Sequence, residues 1–243
     1  MVMDLERFEK TLSEWRDNLC HRIDLAALIS RNPTAHKWKA TYRSIVLREL
    51  VCWRHHDLLI QAISLAKQGH ILGAVVLLRS AIETLAVLIY LNQKTEAVLE
   101  GRESFFNFAR LTAQLMLGSK NESTQHESIN ILTILKKCDT KYPGLRKIYA
   151  VLSESAHPNY DGVCSGYSEI DEKEFTTTFL NRWNQKYQLK LPAGIELCLV
   201  TFEREYNNVW PENFEKLELW LTDNDSQLEA SKSSAYIDSE GRV

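Results

Sequence analysis

The chain has 243 residues, 44% of them hydrophobic, enough to bury a substantial core within one large domain. A charged fraction of 25% and a formal net charge of -3 exclude a global cationic field of the kind that attracts nucleic acid or anionic membrane, so any such binding has to be local. The five cysteines, Cys20, Cys52, Cys138, Cys164 and Cys198, are scattered and form no C-x-x-C pair, which suits a reducing cytoplasm and argues against a disulfide framework or a structural zinc site.

The start, "MVMDLERFEK", lacks the apolar run of a signal peptide. From about residue 3 to 29, Leu5, Phe8, Leu12, Trp15 and Leu19 recur at spacings of three and four and predict a packing helix with one apolar seam. "RNPTAHK" breaks it at Asn32 and Pro33, and a long helix is expected from about Trp38 to Lys67. Gly69 supplies a short turn, so a third helix, from 71 to about 92, pairs with the second as an antiparallel hairpin. A fourth helix is expected over about 95–117 and a fifth over about 125–138; a sixth, "LRKIYAVLSESAH", follows Pro143 and Gly144 and stops at Pro158. In "GVCSGYSEIDEKEFTTTFL" the helical period is lost and Phe175, Thr177 and Phe179 alternate, which allows a small β-hairpin near 163–180. A last helix, about 193–221, carries Leu197, Phe202, Tyr206, Trp210 and Trp220, with Pro211 set to kink it. The expected fold is an all-α multi-helix bundle, a single domain over 1–221 with a long central antiparallel helix hairpin, followed by a disordered polar tail over 222–243.

The third helix is long enough to span a bilayer, but Arg79 and Glu83 near its middle would be costly there, and a buried helix in a soluble bundle is the expected state. The two lie one turn apart on one face. Counting equal steps from the turn puts them opposite Gln61 and Asp57 to within about a turn, so Arg79 pairs with Asp57, and Glu83 with Arg54 or His56, in a partnered interior network. The alternative is that the same groups line a cleft and present a guanidinium, a carboxylate and an imidazole to a ligand.

On the sixth helix Tyr149, Ser153 and His157 follow at intervals of four, a polar flank beside Leu145, Ile148 and Leu152. His157 either caps that helix or converges with Ser153 and Tyr160 on Arg79 and Glu83 as an acid, base or phosphate ligand. Ser153 has no G-x-S-x-G elbow around it, which excludes the usual hydrolase nucleophile. Glu154 and His157 form E-x-x-H, but no second such motif completes a di-metal site, and no metal or other cofactor is expected.

"LLRSAIETLAVLIYL" followed by "YAVLSESAHP" resembles a group of bacterial all-helical domains with an R-x-x-x-E helix and a later Y-x-x-L-S-x-x-x-H helix, and more distantly the HEPN superfamily and abortive-infection proteins. The likeness spans roughly residues 38–160. It implies a cytoplasmic, dimeric protein of stress or phage defence that binds RNA or a nucleotide-like ligand, with metal-independent ribonuclease activity as the enzyme class. Arg79, Glu83, Ser153 and His157 are the expected catalytic residues, and Arg54, His56, Asp57 and Tyr160 the expected ligand-binding ones. The R-x(4 to 6)-H motif of HEPN nucleases has matches at Arg16 to His21 and Arg48 to His55, but none on the late helix. Positive charge collects at Lys37, Lys39, Arg43, Arg48 and Arg54, and again at Lys136, Lys137, Lys141, Arg146 and Lys147. The reading from a different class is a non-enzymatic protein-interaction or scaffold module whose charged interior sets helix register.

Overall fold

The computed structural model describes residues 5–240, with side chains through Lys232. In chain order it contains α1 (Leu5–Asp17), α2 (Leu25–Arg31), α3 (Pro33–His36), α4 (Lys39–Lys67), α5 (Ile71–Leu99), α6 (Phe105–Leu117), α7 (Ile131–Cys138) and α8 (Leu145–Ala156). A π-turn (Tyr160–Cys164) and the single turn α9 (Ser165–Tyr167) lead into the antiparallel pair β1 (Ser168–Asp171) and β2 (Thr176–Phe179). Then come α10 (Trp183–Tyr187), α11 (Lys190–Arg204), a second π-turn (Glu205–Val209) and α12 (Trp210–Glu240). The fold is all-α with one small two-stranded sheet.

The chain divides into two compact units. The first takes the residues up to Leu19, Val51–Val87 and Ile131–Glu203; the second takes Cys20–Leu50, Leu88–Asn130 and the chain from Arg204 on. In the first unit the second half of α4 and the first half of α5 pack as the expected antiparallel hairpin. Gly69 takes a left-handed φ of 81° in its turn, and His55 Nδ1 donates to the Ala81 carbonyl at 3.1 Å. Ala74, Val75, Leu78, Ala81, Ile82 and Leu85 of α5 are fully buried. By length and composition α5 is the one helix among the described residues that could cross a membrane, and these positions are covered by protein. Gly194 lets α11 close on α5, since a Cβ there would lie 2.7 Å from Leu78 Cδ2.

The second unit is built from α2, α3, α6, α12 and the remaining halves of α4 and α5. Its core is aromatic: Trp38 meets Phe105 edge-on at 5.3 Å, and Trp210 stacks on Phe214 at 4.5 Å. Arg48 lies 3.5 Å over the Tyr206 ring, and the buried Glu205 accepts from Asn92 Nδ2 at 2.7 Å.

Several boundaries differ from the periodicity reading, each for a local reason. The first helix stops at Asp17 and resumes at Leu25, because the Asp24 side chain accepts from the Ala27 amide at 3.1 Å and starts a new helix. The third helix runs on to Leu99 and ends at Gly101 with a φ of 70°; Ser104 then caps α6, so the fourth helix begins at Phe105, not near 95. The fifth begins at Ile131, not near 125. Pro211, which has no N–H to offer the preceding turn, follows a π-turn that separates α11 from α12.

Residues 222–240, expected as a disordered tail, continue α12. Within 222–232 the polar residues include a partnered one: Asp225 accepts from Lys37 Nζ at 2.7 Å and from Trp38 Nε1 at 3.1 Å, and Leu228 is buried. The end of that expectation, 241–243, lies outside the described residues.

Candidate functional site

The site begins with the geometry of two helices of the first unit. Asp139, just past the end of α7, accepts from the amides of Gly144 and Arg146, both at 3.0 Å, and so fixes where α8 starts. That start places Tyr149, buried, against the flank of α5 that carries Arg79 and Glu83. Arg79 Nη2 donates to the Tyr149 hydroxyl at 2.9 Å, and the hydroxyl donates onward to Glu83 Oε1 at 2.9 Å. Arg79 and Glu83 also meet directly at 3.3 Å, with 27% of each side chain exposed. The hydrogen bond to Tyr149 holds the Arg79 guanidinium above its usual range, against the opposing effect of burial. The tyrosine hydroxyl thus spends its one donor and accepts one proton, closing the pair into a neutral triad. Arg79 Nε within the triad is buried without a hydrogen-bond partner, as is Ser153 Oγ one turn further along α8.

The pairing expected across the α4–α5 hairpin is not formed. Arg54 is exposed and its Nε donates to Thr84 Oγ1 at 3.2 Å. His56 bonds through Nε2 to the Leu12 carbonyl at 3.0 Å, and Asp57 is exposed. The hairpin register came out within a turn, but Arg79 and Glu83 sit on the side of α5 that meets α8. His55, not His56, faces α5: it continues the buried line of Val51, Leu58, Leu59 and Ala62 and stacks on Phe202 at 4.5 Å. Burial lowers its pKa to about 4, so the imidazole is neutral near pH 7.

His157 does not join the triad. Its backbone amide caps α8 on the Ser153 carbonyl at 3.1 Å, its side chain is exposed, and no hydrogen bond or ion pair links it to Arg79 or Glu83 among the described residues. Tyr160 is 75% exposed on the first π-turn. The R-x(4 to 6)-H matches do not form joint sites: His21 lies beyond the end of α1, and although Arg48 and His55 share α4, Arg48 is held by Glu49, Tyr206 and Trp210 while His55 takes the Ala81 carbonyl.

A second polar cluster escaped the sequence reading. Ser155 Oγ lies 2.6 Å from both Asp161 Oδ2 and the Tyr187 hydroxyl, and Lys186 Nζ reaches Asp161 Oδ1 at 2.7 Å. Burial works to raise the Asp161 pKa, but the hydrogen bonds from Lys186 and Ser155 outweigh it and hold the carboxyl below its usual range. Gly162 packs so tightly that a Cβ would sit 1.9 Å from the His157 carbonyl oxygen, and Trp183 covers Gly166. With no histidine among them these groups form a clamp, not a relay, and the clamp fixes the base of the β-hairpin. Spacing gave no signal for it, since its members come from three separate elements, α8, the first π-turn and α10.

Among the described residues no group of three or more His, Cys, Asp or Glu side chains is placed to hold a metal ion. Comparison of the chain with protein-family models, with curated proteins and with solved structures finds no match.

Proposed function

We propose that the protein is a non-enzymatic helical interaction module, in which the Arg79–Tyr149–Glu83 triad is scaffold. The observation that carries this reading is the Tyr149 hydroxyl, hydrogen-bonded to both members of the pair and drawing them into a charge-neutral contact between α5 and α8. Such a contact specifies how two helices meet while leaving neither charge in need of a ligand. The test compares wild type with Arg79→Met/Glu83→Leu. The module reading requires that the double variant keep the binding behaviour of the wild type, while either single change lowers stability by leaving one charge unpaired. RNA cleavage by the wild type that the double variant lacks, at equal unfolding stability, overturns it.

One observation favours a second reading, a HEPN-like protein of bacterial stress or phage defence that binds RNA or a nucleotide-like ligand in the cytoplasm. Arg79 Nε and, one turn beyond Tyr149 on α8, Ser153 Oγ are buried and unpartnered, and a ligand or water reaching either would satisfy it. In this reading Arg79, Glu83 and Ser153 hold the ligand, and the exposed Lys136, Lys137, Arg146 and Lys147 track phosphates. It requires salt-dependent RNA or nucleotide binding that Ser153→Ala weakens; wild type that binds neither at low salt excludes it.

A further inference from the structure

The β-hairpin reverses the usual order of burial. Its register pairs Ser168 with Phe179 and Ile170 with Thr177, so Ile170 and Phe179 share one face while Glu169, Asp171, Thr176 and Thr178 take the other. The apolar face is bare: Ile170 is 64% and Phe179 83% exposed, and Phe175 at the tip is 93% exposed. Phe175 also holds a left-handed φ of 52°, a backbone that costs a bulky residue and suits glycine. A two-stranded hairpin gains little stability by itself, yet the chain leading to this one is tied down by the Ser155–Asp161–Lys186 clamp and by Trp183 over Gly166, and Arg182 donates to the Ser168 carbonyl at its base. A strained aromatic residue on such a mount, surrounded by solvent, has the form of an anchor for a partner.

The same unit carries a receptor of matching chemistry. Tyr142, Leu145 and Ile148 face Leu197 and Thr201 of α11 across a pocket of about 190 Å³ lined also by Lys141. That is below the ~300–1,000 Å³ of small-molecule sites and on the scale of a single large side chain. Ile148 of the lining is itself partly exposed, Val151 three residues on along α8 and Val200 on α11 are exposed as well, and Lys147 adds a second cation one turn before Val151. Around the hairpin tip stand Asp171, Glu172 and Glu174 against Lys173. The donor is apolar with an acidic rim, and the receptor is apolar with a basic one.

Resting on the interaction-module reading, we propose that the partner is a second copy of this chain: two copies exchange hairpins, each seating Phe175 in the α8–α11 pocket of the other, with Glu172 and Glu174 against Lys141 and Lys147. A reciprocal exchange satisfies both surfaces and closes after two copies.

Sedimentation velocity on the full chain, at low and at high salt, tests it. The wild type is expected to be a dimer whose dissociation constant rises with salt. Phe175→Gly, which suits the left-handed backbone, is expected to weaken the dimer by at least about tenfold, with no fall in thermal midpoint at a dilution where both proteins are monomeric. Lys141→Glu/Lys147→Glu is expected to weaken it as well, and adding Glu172→Lys/Glu174→Lys to the same chain to restore it. A monomeric wild type, a dimer indifferent to Phe175→Gly, or a rim reversal that the compensating change does not restore overturns the proposal. RNA binding lost on rim reversal in a wild type that stays monomeric likewise overturns it, and assigns the basic rim to RNA. A monomeric wild type leaves the module reading standing, because that reading is decided separately by the Arg79→Met/Glu83→Leu comparison.

Discussion

Two regions of the first unit invert the expected placement of residue types. On α5, charged side chains sit in an apolar helix and find partners for their charges; on the β-hairpin, aromatic and aliphatic side chains stand in solvent and find none among the described residues. Both carry a cost, but of different kinds. The Arg79–Glu83 pair loses hydration and regains it as hydrogen bonds through Tyr149, so the cost is offset within the fold. The hairpin forfeits apolar burial and holds Phe175 in a left-handed conformation, and nothing within the unit offsets either. An anomaly that the fold resolves is evidence about folding; one that it leaves unresolved is evidence about what the molecule meets.

If that contrast is right, perturbing the interior changes stability and perturbing the hairpin changes association. The largest interior effect expected is a pH response. His55 is fully buried with its pKa lowered to about 4, below the unfolded value near 6.5, so the unfolded chain binds the extra proton first as pH falls. The stability that the neutral imidazole contributes is therefore fully present above about pH 6.5 and declines by about 3 kcal/mol as pH falls to 4. Urea titrations of wild type and His55→Phe across this range check it: the substitution keeps the ring against Phe202 and should flatten the decline by that amount.

Arg79→Met alone should cost about 2 kcal/mol, less than the loss for a fully buried pair because a quarter of each side chain is exposed, and the double change with Glu83→Leu should bring the cost below about 1 kcal/mol. A double-mutant cycle by chemical denaturation reads the difference. Tyr149→Phe removes only the bridging hydroxyl, leaving Arg79 and Glu83 to meet directly, and should cost about 1 kcal/mol. At the other pole, Phe175→Gly should stabilise the isolated chain by a few tenths of a kcal/mol, since relief of the left-handed strain outweighs the added freedom of glycine in the unfolded state. A thermal midpoint that falls instead, at a dilution where wild type and variant are both monomeric, would mean that Phe175 is packed within the fold, and the contrast would fail at that point.

Much of the architecture was legible in the sequence. The three-and-four spacing of Leu5, Phe8 and Leu12, the turn at Gly69 and the Pro143–Gly144 start of α8 are all local signals, and each element followed where its signal stood. Boundaries failed where a side-chain cap outweighed continuing periodicity, as at Asp24 and Ser104. The site was half legible. Counting residues from Gly69 gives the axial register of a helix hairpin but not which flank of α5 meets which neighbour, and the flank decided the partner. Tyr149 had a signal, its interval of four with Ser153 and His157; what the sequence lacked was the distance from α5. His55 too was readable, in phase with Val51 and Leu58, beside a His56 that competes for notice. The alternation of Phe175, Thr177 and Phe179 pointed to a small hairpin; in the structure Phe175 occupies its turn, and the face it borders is open.

Sedimentation velocity on two variants side by side tests the central claim most directly. We expect Arg79→Met/Glu83→Leu to sediment as the same dimer as the wild type, and Phe175→Gly, with its thermal midpoint intact, to sediment as a monomer. A monomeric double variant that is still fully folded, beside a dimeric Phe175→Gly, would reverse the roles of the two regions and contradict the claim.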